Sequence, residues 1–278
     1  MPGILYLVPT PIGNLGDISD RVRQTLADAD FIAAEDTRVS RKLLNHLALK
    51  KPLVSYYEHN RAESGPKILE RLLAGEVCAL VTDAGTPAIS DPGEDLVALC
   101  AQAGVPVCAI PGPCAAVTAL AVSGLPTGRF TFEGFLSVNK RSRREHLASL
   151  QNERRTMVFY EAPHKLCATL RDLSAAFGPD RRIALCRELS KLHEEVLRMT
   201  LGEAEAYYAA RPPRGEYVLV LAGAPAAEVP TPTLDAALAR AAALMEAGLR
   251  RKDAVRQAAQ ECGVPRNALY EASLKESD

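Results

Sequence analysis

The segment VCALVTDAGTPAISDPGEDLVALCAQAG, residues 77–104, joins an apolar run to a helical pattern through a loop rich in glycine and proline. A short apolar run bounded by turn residues predicts a buried strand, and the spaced leucines after the loop predict a helix. Nucleotide-binding proteins keep a glycine-rich phosphate loop at this position. Here the loop carries Asp83 and Asp91 and no lysine or arginine. The segment therefore predicts an α/β fold with a ligand loop whose charge does not suit phosphate.

The same alternation of apolar runs and amphipathic stretches extends over the first part of the chain. The runs lie at residues 4–8, 30–35, 52–57, 76–83 and 105–110. Short apolar strands separated by helices indicate a parallel sheet covered on both faces. The pattern predicts an N-terminal domain, residues 1–124, with a parallel doubly wound sheet.

The order of elements changes after the breaker-rich segment SGLPTGR, residues 123–129. Two strand patterns follow each other directly around residues 189–192, which implies an antiparallel pair and a mixed sheet. We therefore predict a C-terminal α/β domain with a mixed sheet and helices over residues 128–223. The proline-rich stretch 224–232 is typical of a linker. Residues 233–278 have a helical pattern broken at Gly263, which predicts a helix-turn-helix-like tail.

Composition limits the classes of protein that the chain can belong to. The 33 basic and 34 acidic residues give no overall preference for a nucleic-acid or membrane partner. No apolar stretch approaches the roughly 20 residues that span a bilayer, and the N-terminus lacks a basic signal-peptide region. We expect a cytoplasmic protein that binds no membrane. The seven cysteines form no CxxC pair, so we expect reduced thiols and no metal site.

Loops rich in glycine and proline follow the strand patterns at residues 8–17, 82–93 and 110–120. Ligands of open α/β sheets bind at the carboxyl ends of the strands, so these loops form a plausible joint site. The chain has no P-loop motif, and the prolines remove N–H donors that a phosphate would need. A carboxylate-lined loop suits a cationic nucleoside better. S-adenosylmethionine, with its sulfonium and ammonium groups and no phosphate, has this character.

Motifs spread over residues 4–223 resemble the tetrapyrrole-methylase superfamily, specifically its small-subunit ribosomal RNA methyltransferase branch. The motifs are LVPTPIGNL, AEDTR, VTDAGTPAISDPG, IPGPCAA, FEGFL, FYEAPHK, CRELSKLHEE and GEYVLVLAG. The resemblance implies a homodimeric two-domain enzyme that methylates the ribose 2′-oxygen of a cytidine in the decoding region of 16S ribosomal RNA. Its methyl donor would be S-adenosylmethionine, bound between the domains. Its substrate would be 16S rRNA within the small ribosomal subunit or a late precursor.

The resemblance also implies a set of cofactor contacts, carried over by motif. In the first domain they are Pro9, Thr10, Asp83, Ala84, Gly85, Thr86, Ile89, Ser90, Pro111, Gly112, Cys114 and Ala115. In the second domain they are Glu161, Ala162 and Pro163, together with the end of the strand in residues 215–223. Cys114 departs from the branch, which often has serine at this position, so one hydroxyl contact is open. Asp91 precedes Pro92, and we expect it to cap the following helix.

Methyl transfer to a hydroxyl requires a group that accepts the hydroxyl proton. Glu35 and Asp36, in the AEDTR motif at the end of the second strand, are the first candidates for this catalytic base. Adjacent residues at a strand end point apart, so one of the two is expected to face the site. His59 and His164 are the alternatives, although a histidine in a loop is more often solvated. His193 matches no zinc motif and is expected to be structural or on the RNA side.

The segment SVNKRSRREH, residues 137–146, carries five basic residues, including His146, against one acidic residue. It predicts an RNA-binding helix, because clustered cations neutralise phosphates, although such a run also suits a solvated helix face. The predicted RNA contacts are Lys140, Arg141, Arg143 and Arg144, with a second patch at Arg38 and Arg41.

Two other functions remain open at this point. C-methylation of a tetrapyrrole or corrin precursor belongs to the same superfamily, and its polycarboxylate substrate would also favour arginines. A ligand-sensing helix-turn-helix regulator is the alternative from another class. Such a regulator needs a basic recognition helix, whereas PRNALYEASLK contains only Arg266 and Lys275 as basic residues.

Overall fold

A computed structural model of the protein describes residues 2–225 and 233–275. The chain forms two compact units, one that extends to Ala224 and one that begins at Pro225. The first unit contains both predicted α/β regions, so their separation into domains 1–124 and 128–223 remains a prediction. From residue 226 on, the predicted linker 224–232 lies outside the described residues.

The first sheet follows the predicted alternation of strands and helices. Its strands are β1 (Leu5–Leu7), β2 (Phe31–Ala34), β3 (Leu53–Ser55), β4 (Cys78–Val81) and β5 (Val107–Ala109). The helices that connect them are α1 (Asp20–Asp28), α2 (Thr37–His46), α3 (Arg61–Leu73) and α4 (Glu94–Gln102), and α5 (Ala115–Val122) follows β5. The strands are parallel and lie in the order β3-β2-β4-β1-β5.

The central strands of this sheet are buried on both faces. Phe31 and Leu80 belong to one hydrophobic cluster, whereas their neighbours Ile32 and Val81 belong to another. Successive side chains of a strand point to opposite faces, so the two clusters lie on the two sides of the sheet. This arrangement explains why β2 and β4 are continuous apolar runs.

The sheet order places the three predicted ligand loops next to one another. Because β1 pairs with β4 on one side and β5 on the other, the loops that follow these strands leave the same edge. The first two loops are also joined directly, since Thr10 and Gly85 exchange backbone hydrogen bonds of 2.9 and 3.0 Å. The loop edge is therefore a single structural surface.

The second sheet is mixed, as predicted. Its strands are β6 (Phe130–Phe135), β7 (Thr156–Glu161), β8 (Arg182–Arg187), β9 (Glu195–Thr200) and β10 (Tyr217–Leu221). Its helices are α6 (Lys140–Ser149), α7 (Pro163–Phe177) and α8 (Leu201–Ala209). The strand order is β6-β7-β10-β8-β9, in which only the pair β6 and β7 is parallel. The antiparallel pair expected around residues 189–192 is β8 with β9, and the predicted fold class is confirmed.

Helix α5 connects the two sheets through a shared core. Its residues Ala116, Ala119 and Leu120 are buried against Val158 and Val218 of the second sheet. The helix follows β5 of the first sheet in sequence but packs on β7 and β10 of the second. This packing explains why residues up to Ala224 form one compact unit.

The second unit contains three helices within residues 233–275. They are α9 (Leu234–Glu246), α10 (Arg251–Cys262) and α11 (Arg266–Lys275). Gly263 ends α10 in the left-handed conformation, with φ 68°, which a residue with a side chain adopts less readily. The predicted helix-turn-helix pattern is thus present, with its break at Gly263 as expected. No helix among the described residues has the length and apolar character to cross a membrane.

Candidate active site

A cleft of about 520 Å³ lies between the loop edge of the first sheet and the second sheet. The first wall of the cleft consists of Ile12, Glu35, Asp83, Ala84, Gly85, Thr86, Ile89, Ser90, Asp91, Cys114 and Ala115. The second wall consists of Phe135, Tyr160, Glu161, Ala162, Pro163, His164, Cys186, Glu188, Leu189, Lys191, Glu216, Tyr217 and Val218. The cleft therefore brings together most of the cofactor residues predicted from sequence.

The predicted residues that line the cleft come from both halves. They are Asp83, Ala84, Gly85, Thr86, Ile89, Ser90, Cys114, Ala115, Glu161, Ala162 and Pro163. Their role as cofactor contacts stays a prediction. Pro9, Thr10, Pro111 and Gly112 do not line the cleft.

Three of these residues, Pro9, Thr10 and Gly112, shape the loops behind the first wall. The buried Thr10 hydroxyl donates to the carbonyl of Thr82 at 3.0 Å. A side chain at Gly112 would place its Cβ 2.3 Å from Cγ of Pro9, so the Pro9 ring lies too close to the Gly112 backbone for a residue with a side chain. Sequence motifs do not distinguish residues that hold a loop in place from residues that line the cleft.

The two loops that face each other across the cleft contain strained backbone. Ala88 and Ser90 in the first wall loop have φ values of 68° and 63°. Glu188 and Ser190 in the second wall loop have φ values of 52° and 63°. Residues with side chains adopt this left-handed region at a cost, and such strain concentrates at functional sites.

Glu35 and Asp36 point in different directions, as predicted for adjacent residues. Glu35 lines the cleft and accepts a hydrogen bond from the Thr82 hydroxyl at 2.6 Å. Asp36 caps α2 by accepting from the Arg38 backbone N–H at 2.8 Å, and it forms an ion pair with the Arg38 guanidinium. Those hydrogen bonds and the arginine charge lower the pKa of Asp36 to about 2. Asp36 does not face the cleft, which argues against it as the base.

Asp91 lines the cleft and does not cap a helix. Helix α4 begins at Glu94 with Gly93 at its N-cap, so the expected capping role of Asp91 is wrong. Burial and the negative charge of Glu35 raise the pKa of Asp91 to about 6. The sequence signal was misleading because Pro92 lies outside the helix rather than in its first turn.

Asp83 completes a group of three carboxylates in the first wall. Burial, followed by the charge of Glu35, raises the pKa of Asp83, while a backbone N–H from Asp36 at 3.2 Å partly stabilises its charge. Glu35, Asp83 and Asp91 form no ion pair with any residue of the described ranges 2–225 and 233–275. These ranges also contain no cluster of histidine, cysteine or carboxylate side chains with metal-binding geometry.

The second wall contains carboxylates that have partners. Lys191 Nζ donates to Glu188 and to Glu216, both at 2.9 Å. The Lys191 hydrogen bond and the N–H of Glu216 outweigh burial and lower the pKa of Glu188. Sequence analysis missed this trio, because Glu188 and Lys191 are three residues apart whereas Glu216 reaches them only through the β8 and β10 pairing.

The strand in residues 215–223 meets the cleft at its beginning, not at its end as expected. Because β10 is antiparallel to β7, Tyr217 pairs with Glu161, whereas Leu221 pairs with Met157 at the far side of the sheet. Tyr160 also joins the wall, where its hydroxyl accepts from the N–H of Ala116 at 3.1 Å.

The alternative histidine bases occupy different positions. His164 lines the cleft in the first turn of α7 and is exposed. His59 does not line the cleft, and its ring lies 6.2 Å from that of Tyr57, centroid to centroid. His193 is exposed in the loop between β8 and β9 and does not line the cleft either.

The predicted RNA contacts on α6 divide into two groups. Lys140, Arg141 and Arg144 are exposed, and Arg141 pairs with Glu145 one turn along the helix. Arg143 instead turns inward, with its side chain only 13% exposed and paired with Asp172. The guanidinium of Arg143 is bound to Asp172 and Thr169, which disfavours contact with a phosphate, and its role as an RNA contact stays a prediction.

The two predicted contacts on α2 are both at the surface. Arg38 and Arg41 are both exposed, but the Arg38 guanidinium is bound to Asp36. Arg38 therefore carries less unbalanced positive charge than its sequence position implies.

The fold and the cleft can now be compared with known proteins. A family model described as Tetrapyrrole (Corrin/Porphyrin) Methylases matches residues 4–205, and one described as RsmI C-terminal HTH domain matches residues 232–277. The two sheets with a cleft between them are thus those of a tetrapyrrole methylase. Among curated proteins, Ribosomal RNA small subunit methyltransferase I of Synechocystis sp. is 49% identical and covers 98% of each chain. The protein of the same name from Escherichia coli O157:H7 is 43% identical over 99% of this chain and 96% of its own. The chain belongs to the ribosomal RNA small subunit methyltransferase I family.

Solved structures share the fold at low sequence identity. A diphthine synthase has a TM-score of 0.60 and 15% identity, covering 79% of this chain and 90% of its own. A uroporphyrin-III C-methyltransferase from Thermus thermophilus, complexed with S-adenyl homocysteine, has a TM-score of 0.53 and 21% identity, covering 79% and 97%. These likenesses support the fold alone.

Proposed function

We propose that this protein transfers a methyl group from S-adenosylmethionine to the ribose 2′-oxygen of a cytidine in the decoding region of 16S ribosomal RNA. Relatives that are 41–49% identical over nearly the whole chain carry the name of a small-subunit ribosomal RNA methyltransferase. The observation that carries the proposal is the cleft, whose first wall presents carboxylates that form no ion pair with a cation of the described residues.

This lining fits S-adenosylmethionine. Glu35, Asp83 and Asp91 attract a sulfonium or ammonium group and repel a phosphate. Among the described residues of the cleft, Lys191 is the only lysine or arginine, and it is already paired with Glu188 and Glu216. A volume of about 520 Å³ also lies within the roughly 300–1,000 Å³ of small-molecule sites.

The residues of the two walls hold and orient the reactants. The bound cofactor supplies a methyl group made electrophilic by its sulfonium. Residues 83–86 and Glu161 would hold it, and orientation of this kind is worth about 7–11 kcal/mol of a reaction barrier. Glu35 and Asp91 are the candidates to accept the hydroxyl proton, since both line the cleft. Asp91, with a pKa of about 6, is poised closer to neutral pH than an ordinary aspartate.

The RNA backbone would be bound outside this acidic cleft. Lys140 and Arg144 on α6, with Arg41 on α2, are exposed cations suited to phosphate contacts. Few aromatic side chains are available for stacking, which favours recognition of RNA shape over unpaired bases. This surface suits folded rRNA in a small subunit or a late precursor, in the cytoplasm.

We further propose that the enzyme acts as a homodimer, a state that its family resemblance supports. Light scattering of the purified protein at micromolar concentration measures this directly. A mass of twice 29.9 kDa is expected, and a mass of one chain would contradict it.

The other functions have less support. A tetrapyrrole precursor with several carboxylates would meet repulsion from the first wall. A helix-turn-helix regulator would need a basic α11, yet its sequence has two basic residues.

Labelled S-adenosylmethionine with purified protein tests the function. The acceptors are naked 16S rRNA, small subunits and assembly precursors, and each product is digested to nucleosides. Label in 2′-O-methylcytidine from at least one acceptor is expected. Absence of labelled ribose from all three, in a preparation that binds S-adenosylmethionine, would contradict the RNA activity.

A further inference from the structure

One arginine of the basic helix α6 points into the protein. Arg143 donates through Nε to Asp172 at 2.6 Å and through Nη2 to the Thr169 hydroxyl at 2.8 Å. Both partners lie on α7. The side chain of the neighbouring Arg141 is 85% exposed, whereas that of Arg143 is 13% exposed. Arg143 therefore belongs to the interior of the second α/β region.

The same hydrogen-bonded chain reaches the cleft. The hydroxyl of Thr169, which is 1% exposed, donates to Oε2 of Glu161. Glu161 ends β7, is 4% exposed and lines the second wall. Its other oxygen, Oε1, accepts from the backbone N–H of Ala162 at 2.9 Å. Two donors thus fix the plane of a buried carboxylate at the cleft.

The donor and acceptor groups allow only one direction for this series of hydrogen bonds. A guanidinium donates hydrogen bonds but cannot accept them, so the Thr169 oxygen must accept from Arg143. The single hydroxyl proton of Thr169 is then directed to Glu161. Arg143 also brings a positive charge within two hydrogen bonds of a carboxylate that is costly to bury.

We propose that Arg143 is a positioning residue for the cofactor site, acting through Thr169 on Glu161. This inference rests on the proposed function, because it takes S-adenosylmethionine as the ligand of the cleft. The hydrogen bonds from Arg143 to Thr169 and from Thr169 to Glu161 form a relay. This relay fixes the orientation of the Glu161 carboxylate, so that its remaining lone pairs accept hydrogen bonds from donor groups of the cofactor. Without Arg143, the Thr169 hydroxyl is free to rotate and Glu161 loses both its orientation and its nearby positive charge.

The test measures binding of S-adenosylmethionine and S-adenosylhomocysteine by calorimetry, with thermal melting in parallel. Arg143→Met and Thr169→Val each remove the relay, and each is expected to raise the Kd of both ligands about tenfold. Thr169→Ser keeps the hydroxyl and should restore the Kd to within about threefold of the wild type. Arg171→Met is the matched control, because Arg171 is an exposed arginine on the same helix as Thr169. It should leave the Kd unchanged.

The outcomes separate this inference from the function on which it rests. If the wild type binds S-adenosylmethionine but Arg143→Met and Thr169→Val retain its Kd, only the positioning role is overturned. If the wild type does not bind, both proposals fall. A lower melting temperature with an unchanged Kd would show a merely structural role and would also overturn it. If Arg143→Met does not fold, Arg143→Lys keeps the charge without the two-pronged geometry, and an unchanged Kd in this variant and in Thr169→Val would contradict the relay.

Discussion

The two walls of the cleft hold three carboxylates each but differ in whether a cation pairs with them. In the first wall, Glu35 accepts from the Thr82 hydroxyl and Asp83 from the Asp36 backbone N–H. Neither these two carboxylates nor Asp91 forms an ion pair with a cation among the described residues. In the second wall, Glu188 and Glu216 share Lys191. The second wall thus contains one cation, Lys191, against Glu161, Glu188 and Glu216, whereas the described residues that line the first wall include no cation.

This difference indicates which carboxylates are available to bind a cationic ligand. A folded protein normally pairs or solvates its buried charges, because an unpaired one reduces stability. Asp83 is exposed and Asp91 is half-buried, so their raised pKa values reflect partial desolvation and repulsion by Glu35 rather than full burial. A cationic ligand would remove the repulsion in the first wall, whereas it would gain little from the second.

Neutralising the first wall should give the largest effect on cofactor binding. Glu35→Gln with Asp83→Asn removes two negative charges and keeps the oxygen atoms that accept from Thr82 and Asp36. We expect the Kd of S-adenosylmethionine to rise about a hundredfold, since each charge near a cation is worth roughly 1–2 kcal/mol in a partly exposed site. S-adenosylhomocysteine lacks the sulfonium charge and should lose less than tenfold.

The second wall supplies the control for that experiment. Glu216→Gln removes a carboxylate whose side chain is 79% exposed and already bound to Lys191. Its effect on the Kd should stay below about threefold. Equal losses from the two walls in calorimetry would mean that neutralisation by Lys191 does not distinguish them.

A second prediction concerns stability and pH at Asp91. Its pKa of about 6 in the folded protein exceeds the ordinary value near 4, so the unfolded chain loses this proton first as pH rises. The stability that the protonated carboxyl contributes is therefore present at low pH and is lost between about pH 4 and pH 6. The upper bound is about 3 kcal/mol, and partial exposure reduces it to about 1.5 kcal/mol.

Asp91→Asn should consequently make the protein more stable at pH 7.5, by about 1.5 kcal/mol, and change little at pH 4. Urea unfolding of wild type and variant at both pH values measures the difference. A variant that is less stable than the wild type at pH 7.5 would show that the ionised Asp91 has a favourable partner, and it would contradict the unpaired state of this carboxylate.

Sequence patterns predicted the first wall better than the second. The strand–loop–helix unit at residues 77–104 is local in sequence, and the parallel sheet then places its loop beside the loops after β1 and β5. The alternation of apolar and amphipathic stretches was therefore sufficient to predict the fold class and the Asp83 loop. The role of Asp91 was mispredicted, because helix capping depends on a boundary that differs by two or three residues from the pattern.

The second wall depends on contacts between residues far apart in sequence. Lys191 meets Glu216 because β8 and β10 are paired, and Arg143 meets Thr169 because α6 packs beside α7. A run of basic residues does not reveal which arginine turns inward, since burial is decided by the neighbouring helix. The sequence predicted the four cations of α6 as one group of RNA contacts, whereas in the structure Arg143 turns inward.

Removing Lys191 should lower stability rather than raise it. In Lys191→Met, Glu188 loses its cation while its side chain remains 19% exposed, and it then repels Glu216. We expect a loss of about 1 kcal/mol, which lowers the melting temperature by about 2–4 °C. Lys67→Met is a suitable control because its pair with Glu63 is largely exposed, and its loss should be about 0.3 kcal/mol. Equal losses in the two variants would show that the ion pairs of Lys191 stabilise the protein no more than an exposed surface pair does.

The smallest effect is expected outside both walls, where phosphates that the first wall repels would be bound. Lys140→Ala with Arg144→Ala removes two exposed cations from α6 and leaves the inward-pointing Arg143 in place. RNA affinity should fall several-fold at moderate salt, and the slope of log K against log salt should become shallower by about 1.4, or about 0.7 for each lost phosphate contact. Filter binding of a 16S rRNA fragment at several salt concentrations measures the slope, while calorimetry should give an unchanged Kd for S-adenosylmethionine. An unchanged slope would mean that the RNA backbone does not contact α6, and a changed cofactor Kd would mean that the outer face of α6 is not independent of the cleft.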